Sequence, residues 1–579
     1  MKKTGLFFNI NFLLTLCAVN INAQVIPPSR STDWSLAGYH GTIPVYSITK
    51  NITDYGGSGN GATDNYPALQ LAITSLGNQN GTIYFPAGTF VFNSPITLRS
   101  GLILKGEGAT NTVLTFNLGG SNNLINITGT PSAGVVNITT SIFKGESSLT
   151  VDEPSLFHEK DYINIYQADA GLINDASASE SIGQIVQVES IAGNTIRFSN
   201  NLRRSYLLTD TPKVRKLNMV TGVGIECLQI KRLDVTGPLK SNIYFSYAAK
   251  CWVTGVESDS CNFAHVRIAH STNIEVTNSY LHGAFSYGAT GEAYGISCEY
   301  SSGECLIENN IFRHLRHSML LQSGANGNVF DYNYSIGPFK SESLPNDLAG
   351  DIVMHGNYPY LNLFEGNIAQ NIFVDAAHGI NGPYNTMFRN RAESYGLIVS
   401  AGGGDSTNIV GNEITATGLF KGNYSMQGNG NLEYGNNKNG IIIPTGSTTL
   451  PDRSYIYNNL PAFWNIASSW PSIGLPNTSN TGTIPAKERY ISGSNPAYCK
   501  SVQLVIYTFT GSGNWSEASN WSDNIMPPAT VSNGSEIIID PPMGQQCILD
   551  ISYTISQGAK LTVRQGKHLV VQGNLSIVQ

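Results

Sequence analysis

The chain has 579 residues, with 60 glycines, 28 tyrosines and only 13% charged residues, a composition that favours short strands and tight turns over long amphipathic helices. A net charge of −7 leaves no footprint for nucleic acid, so an anionic ligand would have to meet local basic residues. At the N-terminus, Lys2 and Lys3 precede an apolar run from Phe7 to Val19, and Ile21-Asn22-Ala23 offers a small residue for cleavage before Gln24. This reads as a secretory signal peptide over residues 1–23. Cys17 invites a lipid anchor, but Leu16 before it is too large for the usual motif, so ordinary cleavage and export are expected. No other stretch is long and apolar enough for membrane insertion.

After Asp54-Tyr55-Gly56 and Gly61-Ala62-Thr63-Asp64, the residues Ala68, Leu69, Leu71, Ala72, Ile73 and Leu76 recur at helical spacing. Asp64 stands where an N-cap would, which gives it a structural role. Asn80-Gly81 turns the chain into a strand over Thr82–Phe85 that Pro86 ends, and Gly88-Thr89-Phe90, Pro95-Ile96-Thr97-Leu98 and Leu104-Lys105-Gly106-Glu107-Gly108 follow. A short helix suits the first coil of a β-solenoid, whose edge would otherwise be open. The run from Ile52 to Gly108 closely resembles the N-terminal opening of the pectate-lyase/rhamnogalacturonase superfamily, in particular its pectate-lyase-3-like segment. That resemblance implies an all-β chain folded as a right-handed parallel β-helix with a capping helix. It also implies use of the fold to bind and cleave long acidic polysaccharides, and a homotrimer as an available assembly. It speaks more strongly for fold than for reaction. The cap and first coils are expected over 24–134.

Between 135 and 217 the pattern breaks into alternating strands such as Asp161-Tyr162-Ile163-Asn164-Ile165-Tyr166, the mark of a small inserted β-rich module. The body, 218–460, carries a loose repeat. An aliphatic-x-x-x-Asn pattern ends at Asn278, Asn310, Asn333 and Asn367, and the same count puts Arg391 and Glu413 on the next coils. The spacings are 32, 23, 34, 24 and 22 residues, right for the coils of a parallel β-helix. A column of Asn at one turn is structural, because each amide donates and accepts along the stack. Glu308, Asp331, Glu365 and Arg389 form a neighbouring column, expected to pair charges between coils. The two long spacings imply insertions at His282–Tyr294 and Gly337–Gly350, leaving the stack at one corner and building the wall of a groove.

Counting back from the Asn column brings Tyr294, His317, Asp351 and Asp375 onto successive coils, with His355 and His378 close by. In that register Asp351 and Asp375 stack about 4.8 Å apart. Two carboxylates so placed cannot both ionise easily, so one serves as acid and the other as base or nucleophile in glycoside hydrolysis. His355 and His378 would tune them, while Arg316, His317, Tyr294, Lys340, Asn357 and Asn381 would contact substrate. Polygalacturonase-like β-helices similarly use clustered Asp with a His, but their Asn-Thr-Asp, Gly-His-Gly and Arg-Ile-Lys signatures are missing here. The alternative is β-elimination from a uronic acid, with Arg316, His317, Lys340 or Tyr294 acting and Asp351 and Asp375 holding a calcium ion. Hydrolysis needs no cofactor and is slightly favoured at this stage. A third reading, from a different class, is a non-catalytic glycan-binding or adhesion protein.

Residues 461–498 are rich in Pro, Ser, Asn and Thr and read as an exit loop and linker. From 499 to 579 the texture changes to a β-rich accessory domain, which resembles those on secreted proteins of Bacteroidetes-type bacteria. Trp515 and Trp521 in it are expected in its core rather than on a sugar. After cleavage an odd set of cysteines remains (Cys227, Cys251, Cys261, Cys298, Cys305, Cys499 and Cys547), and Cys298 with Cys305 could bridge or remain buried thiols.

Overall fold

A computed structural model of the chain describes residues 25–169, 171–235, 239–450, 454–477, 479–493, 496–499, 506–527, 535–555 and 559–577. The expected signal peptide, Cys17 included, lies outside the described residues. Strands stack in parallel along three faces, making a right-handed parallel β-helix. The first face runs from Thr49–Asn51 through Gly81–Tyr84 and Gly224–Glu226 to Leu432–Tyr434. The second passes through Gly88–Phe92, Glu257–Cys261, Tyr280–Ala284, Ile311–Arg313 and Tyr334–Ile336. The third passes through Ile243–Ser246, Ala264–Ala269, Tyr294–Glu299, His317–Leu321, Ile352–Gly356, Ile368–His378, Arg391–Val399 and Asn423–Met426.

Alternate side chains of every coil point inward, and Ile, Leu, Val and Phe form one column-like core from Ile52 to Ile414. The helix Tyr66–Ser75 closes one end of that core with Ala68, Leu69 and Ala72. Asp64 is structural, since its Oδ1 accepts from the N–H groups of Tyr66 (3.1 Å) and Asn93 (3.2 Å).

The Asn column is real but one residue displaced after Asn367. The Nδ2 of Asn310, Asn333, Asn367, Asn390 and Asn412 each donates to the Oδ1 of the next Asn, ending at Asn436, over 2.9–3.1 Å. Arg391 and Glu413 are therefore not column members; they lie one position on and pair with each other. Ser279, not Asn278, begins the stack, its N–H donating to Asn310 Oδ1. A second ladder at another turn links Asn328, Asn362 and Asn385. Glu308, Asp331 and Glu365 do stack on successive rungs. The next rung puts Phe388, not Arg389, opposite Glu365; the Arg389 charge still favours the ionised Glu365, and its guanidinium donates to the carbonyls of Ile473 and Leu475. Tyr457 OH donates to Glu308, and Tyr455 N–H donates to Glu365. Burial pushes the Glu308 and Glu365 carboxyls up, to about 8 and about 7. The segment beyond 453 is thus no free linker: Trp464, Ile473, Ile484 and Ala486 pack it onto the solenoid.

Six strands from Thr130–Asn137 to Lys213–Asn218 form a separate antiparallel sheet with its own core around Ile163, Ile165, Val186 and Val214. The C-terminal module is a small parallel stack of its own, in which Trp515 and Trp521 are core residues with rings 4.8 Å apart. Cys227 and Cys499 form a disulfide, while Cys298 and Cys305 are buried free thiols. Among the described residues no helix is long and apolar enough to cross a membrane.

Candidate functional site

The third face carries the chemistry on its outer side. With Leu321, Met354, Val374 and Val399 pointing into the core, Gln322, His355, Asp375 and Ser400 point outward on successive rungs. A bulge follows: Met354 pairs with Val374, but Gly356 pairs with His378. The extra residues after Asp375 bend this strand outward and bring His378 beside His355, with ring centroids 4.9 Å apart. The loops 285–292 and 337–350 leave the stack and meet each other beside this sheet, Ser341 N–H donating to Tyr287 O (3.1 Å). On the other side the inserted module leans in, with Asn174 and Asp175 docked on Asn357.

Two histidine–carboxylate pairs result. His355 Nδ1 lies 2.9 and 3.0 Å from the two oxygens of Asp375, which also accepts from Ala377 N–H. His378 Nδ1 lies 2.6 Å from Asp175 Oδ2. A carboxylate acceptor fixes the Nδ1–H tautomer, leaving Nε2 of each ring as the free nitrogen. Among the described residues nothing bonds either Nε2. Hydrogen bonding from Asn357, then from His378, holds the Asp175 carboxyl below the usual range. His355 is 12% exposed at its side chain and His378 42%, so a ligand in the groove reaches both.

At the neighbouring corner, His317 Nδ1–H donates to Gly350 O (2.9 Å), and Arg316 Nη1 donates to His317 Nε2 (2.9 Å). Burial first, and the Arg316 charge second, hold His317 well below the usual histidine range, so it is neutral. Arg316 also forms an ion pair with Glu342 and donates to Tyr294 OH. Lys340 lies near enough to add to the positive field at His317, and its ammonium has no ion-pair partner among the described residues.

The structure corrects several expected roles. Asp351 and Asp375 do not stack: Asp351 pairs in register with Asn371, and Asp375 with His355. Four residues along a strand and one rung across separate them by roughly 14 Å. That exceeds the spacing of either glycosidase geometry, and of one shared calcium ion. Asp351 is also sealed, 1% exposed, accepting from Ser335 Oγ and from the N–H groups of Gln370 and Asn371. Burial pushes its carboxyl up to about 7. The count slipped because the loop before Asp351 and the bulge after Asp375 each change the register. Asn357 and Asn381 are buried scaffold, not ligand contacts: Asn381 bridges Gly356 N–H to the carbonyls of Asp375 and Gly403. Tyr294 and His317 are likewise buried, so they shape the corner and leave Arg316 and Lys340 to face a ligand. Among the described residues no three or more His, Cys, Asp or Glu side chains are grouped so as to hold a metal ion.

Asp175 and Gln322 belong to the site and were invisible in the sequence. Asp175 is 203 positions from His378, in a module without a recognisable motif.

Residues 49–201 match the family described as rhamnogalacturonase A/epimerase, pectate lyase-like. Over those residues the chain is similar to that pectate-lyase/rhamnogalacturonase family, and the fold as a whole is a parallel β-helix. Similar solved structures include the tailspike gp49 of Pseudomonas phage LKA1, with 15% identity and a TM-score of 0.45 over 92% of this chain and 78% of that one. The gp54 tailspike of Acinetobacter baumannii bacteriophage AP22, solved with capsular saccharide, shares 13% identity with a TM-score of 0.44 over 92% and 75%. PfbA, a surface adhesin of Streptococcus pneumoniae, shares 13% identity with a TM-score of 0.33 over 63% and 84%. No curated protein matches the chain significantly.

Proposed function

We propose that this protein is an exported enzyme that cleaves a uronate-containing polysaccharide by β-elimination. The observation that carries this reading is the His355–Asp375 pair, open to the groove beside a cationic corner, while Asp351 is sealed away from it. With Asp375 holding Nδ1–H, His355 Nε2 takes the proton from C5 of a uronate ring. The electrons left at C5 form the C4–C5 double bond as the C4–O bond breaks. In its imidazolium form His378, held at Nδ1 by Asp175, gives the Nε2 proton to the departing oxygen. Lys340 and Arg316 stabilise the negative charge that grows on the substrate carboxylate. His317, neutral and bonded at both ring nitrogens, keeps Arg316 in place. Export by the N-terminal segment 1–23 is part of the same proposal, since the substrate lies outside the cell.

The test is a digest of pectins, rhamnogalacturonan, alginate and neutral glucans, with and without EDTA. Reducing ends and the ultraviolet absorbance of unsaturated uronates are followed together. Both signals rising in step on a uronate polymer, and both lost in His355→Ala, is the expected result. Reducing ends without absorbance would replace elimination by hydrolysis, with Asp375 and Asp175 as the exposed carboxylates. No cleavage of any polymer would leave a binding protein.

A further inference from the structure

A second cleft lies away from this groove, where the inserted module meets the first face of the solenoid. One side is the inserted sheet, through Tyr162, Gln187 and Lys216; the other is the solenoid, through Thr221 and Lys250. It is an open depression of about 600 Å³, within the range of small-ligand sites. A narrower recess of about 90 Å³ shares Tyr162, Gln187 and Lys250 with it and continues to Asn200 and Asn273, so the space is elongated.

Its lining is unusual for this chain. Beneath it Tyr162, Ile185, Leu217 and Ala249 form a small buried apolar cluster, and the half-buried Met219 packed against that cluster edges the cleft. Around it stand Lys160, Lys216 and Lys250, against a single carboxylate, Asp161. Lys216 forms an ion pair with Asp161 at 2.8 Å. The ammoniums of Lys160 and Lys250 have no ion-pair partner among the described residues. In a chain of net charge −7, this is a local excess of positive charge at a concave, partly apolar surface. The cleft is mainly polar: amides such as Gln187 and Asn218 take sugar hydroxyls, and lysines take anionic substituents.

We infer that this cleft binds an anionic oligosaccharide, one bearing carboxylate or sulfate groups, at a site separate from the groove. The inference rests on the cleft alone and survives if the elimination chemistry is wrong.

The experiment is titration calorimetry on the full chain carrying His355→Ala, so that nothing is cleaved. The probes are trigalacturonate, a sulfated galactan trisaccharide and an uncharged galactotriose. To isolate the cleft, a form with Arg316→Glu and Lys340→Glu weakens the groove. In that form at least one acidic probe should still bind, with an affinity that falls as salt is raised. Adding Lys160→Glu and Lys250→Glu should weaken that binding at least tenfold, and the milder Lys160→Gln with Lys250→Gln should weaken it less. Circular dichroism and melting should be unchanged, as these lysines make no structural ion pair. The acidic probe that binds more tightly distinguishes carboxylate from sulfate recognition. The inference is overturned if neither acidic probe binds the groove-weakened form, if the lysine substitutions leave affinity unchanged, or if galactotriose binds equally well.

Discussion

Asp351→Asn separates the sealed carboxyl from the catalytic one. Burial raises Asp351 from its ordinary 3.8 to about 7. Between those values the folded protein holds a proton that the unfolded chain has released, so folding loses stability as pH rises through this window. The contribution is fully present below about pH 4 and lost above about pH 7. A difference of about 3 pH units, at about 1.4 kcal/mol each, makes the effect roughly 4 kcal/mol. Asparagine fits the site: its oxygen can accept from the Gln370 and Asn371 N–H groups, and its Nδ2 can donate to Ser335 Oγ. Ser335 Oγ shares a hydrogen bond with Ser318 Oγ in which either can donate, so its proton can reorient. Urea unfolding at several pH values between 4 and 8 should therefore show the variant gaining on the wild type by up to about 4 kcal/mol as pH rises. Titrations common to both proteins cancel in that difference. Cleavage should stay within about threefold of wild type. Parallel pH profiles would refute the burial argument. Loss of cleavage as complete as in His355→Ala would refute the exclusion of Asp351 from the chemistry.

His355→Ala should cost at least about 100-fold in kcat with an unchanged circular dichroism spectrum, and Asp375→Asn somewhat less, as read in single-substrate kinetics. Asp175→Asn should act through His378, lowering kcat with KM little changed. A KM effect alone would make Asp175 only a docking contact for the inserted module. Asn333→Leu removes the amide that accepts from Asn310 and donates to Asn367 and should lower the melting temperature by several degrees or prevent secretion of folded protein. An unchanged melting temperature would show that the ladder is dispensable.

The solenoid was legible from sequence because its determinants are local and repeated. Alternating aliphatic residues, Asn at one turn, Gly and Pro at strand ends and one short helix recur over coils of similar length, and each coil meets only its neighbours. The structural role of Asp64, which lies one position before the N-cap Asn65, and the core positions of Trp515 and Trp521 follow from equally local rules. The two insertions were also visible, because extra residues must leave the stack where the spacing lengthens. Register was not. A one-residue slip turns a side chain to the other face, and the sequence bears no mark of the bulge between Asp375 and His378. Hence Asp351 and His355 were both singled out, but only the structure shows that Asp351 faces Ser335 and His355 faces Asp375. Asp175 reaches His378 only because an independently folded sheet leans over the third face, a contact between segments with no sequence relation. The sequence by itself therefore determined the kind of fold, its cap and its repeat. Tertiary structure alone decided which carboxylate is buried, which is paired and which histidine nitrogen is free, because those depend on register and on packing between distant segments.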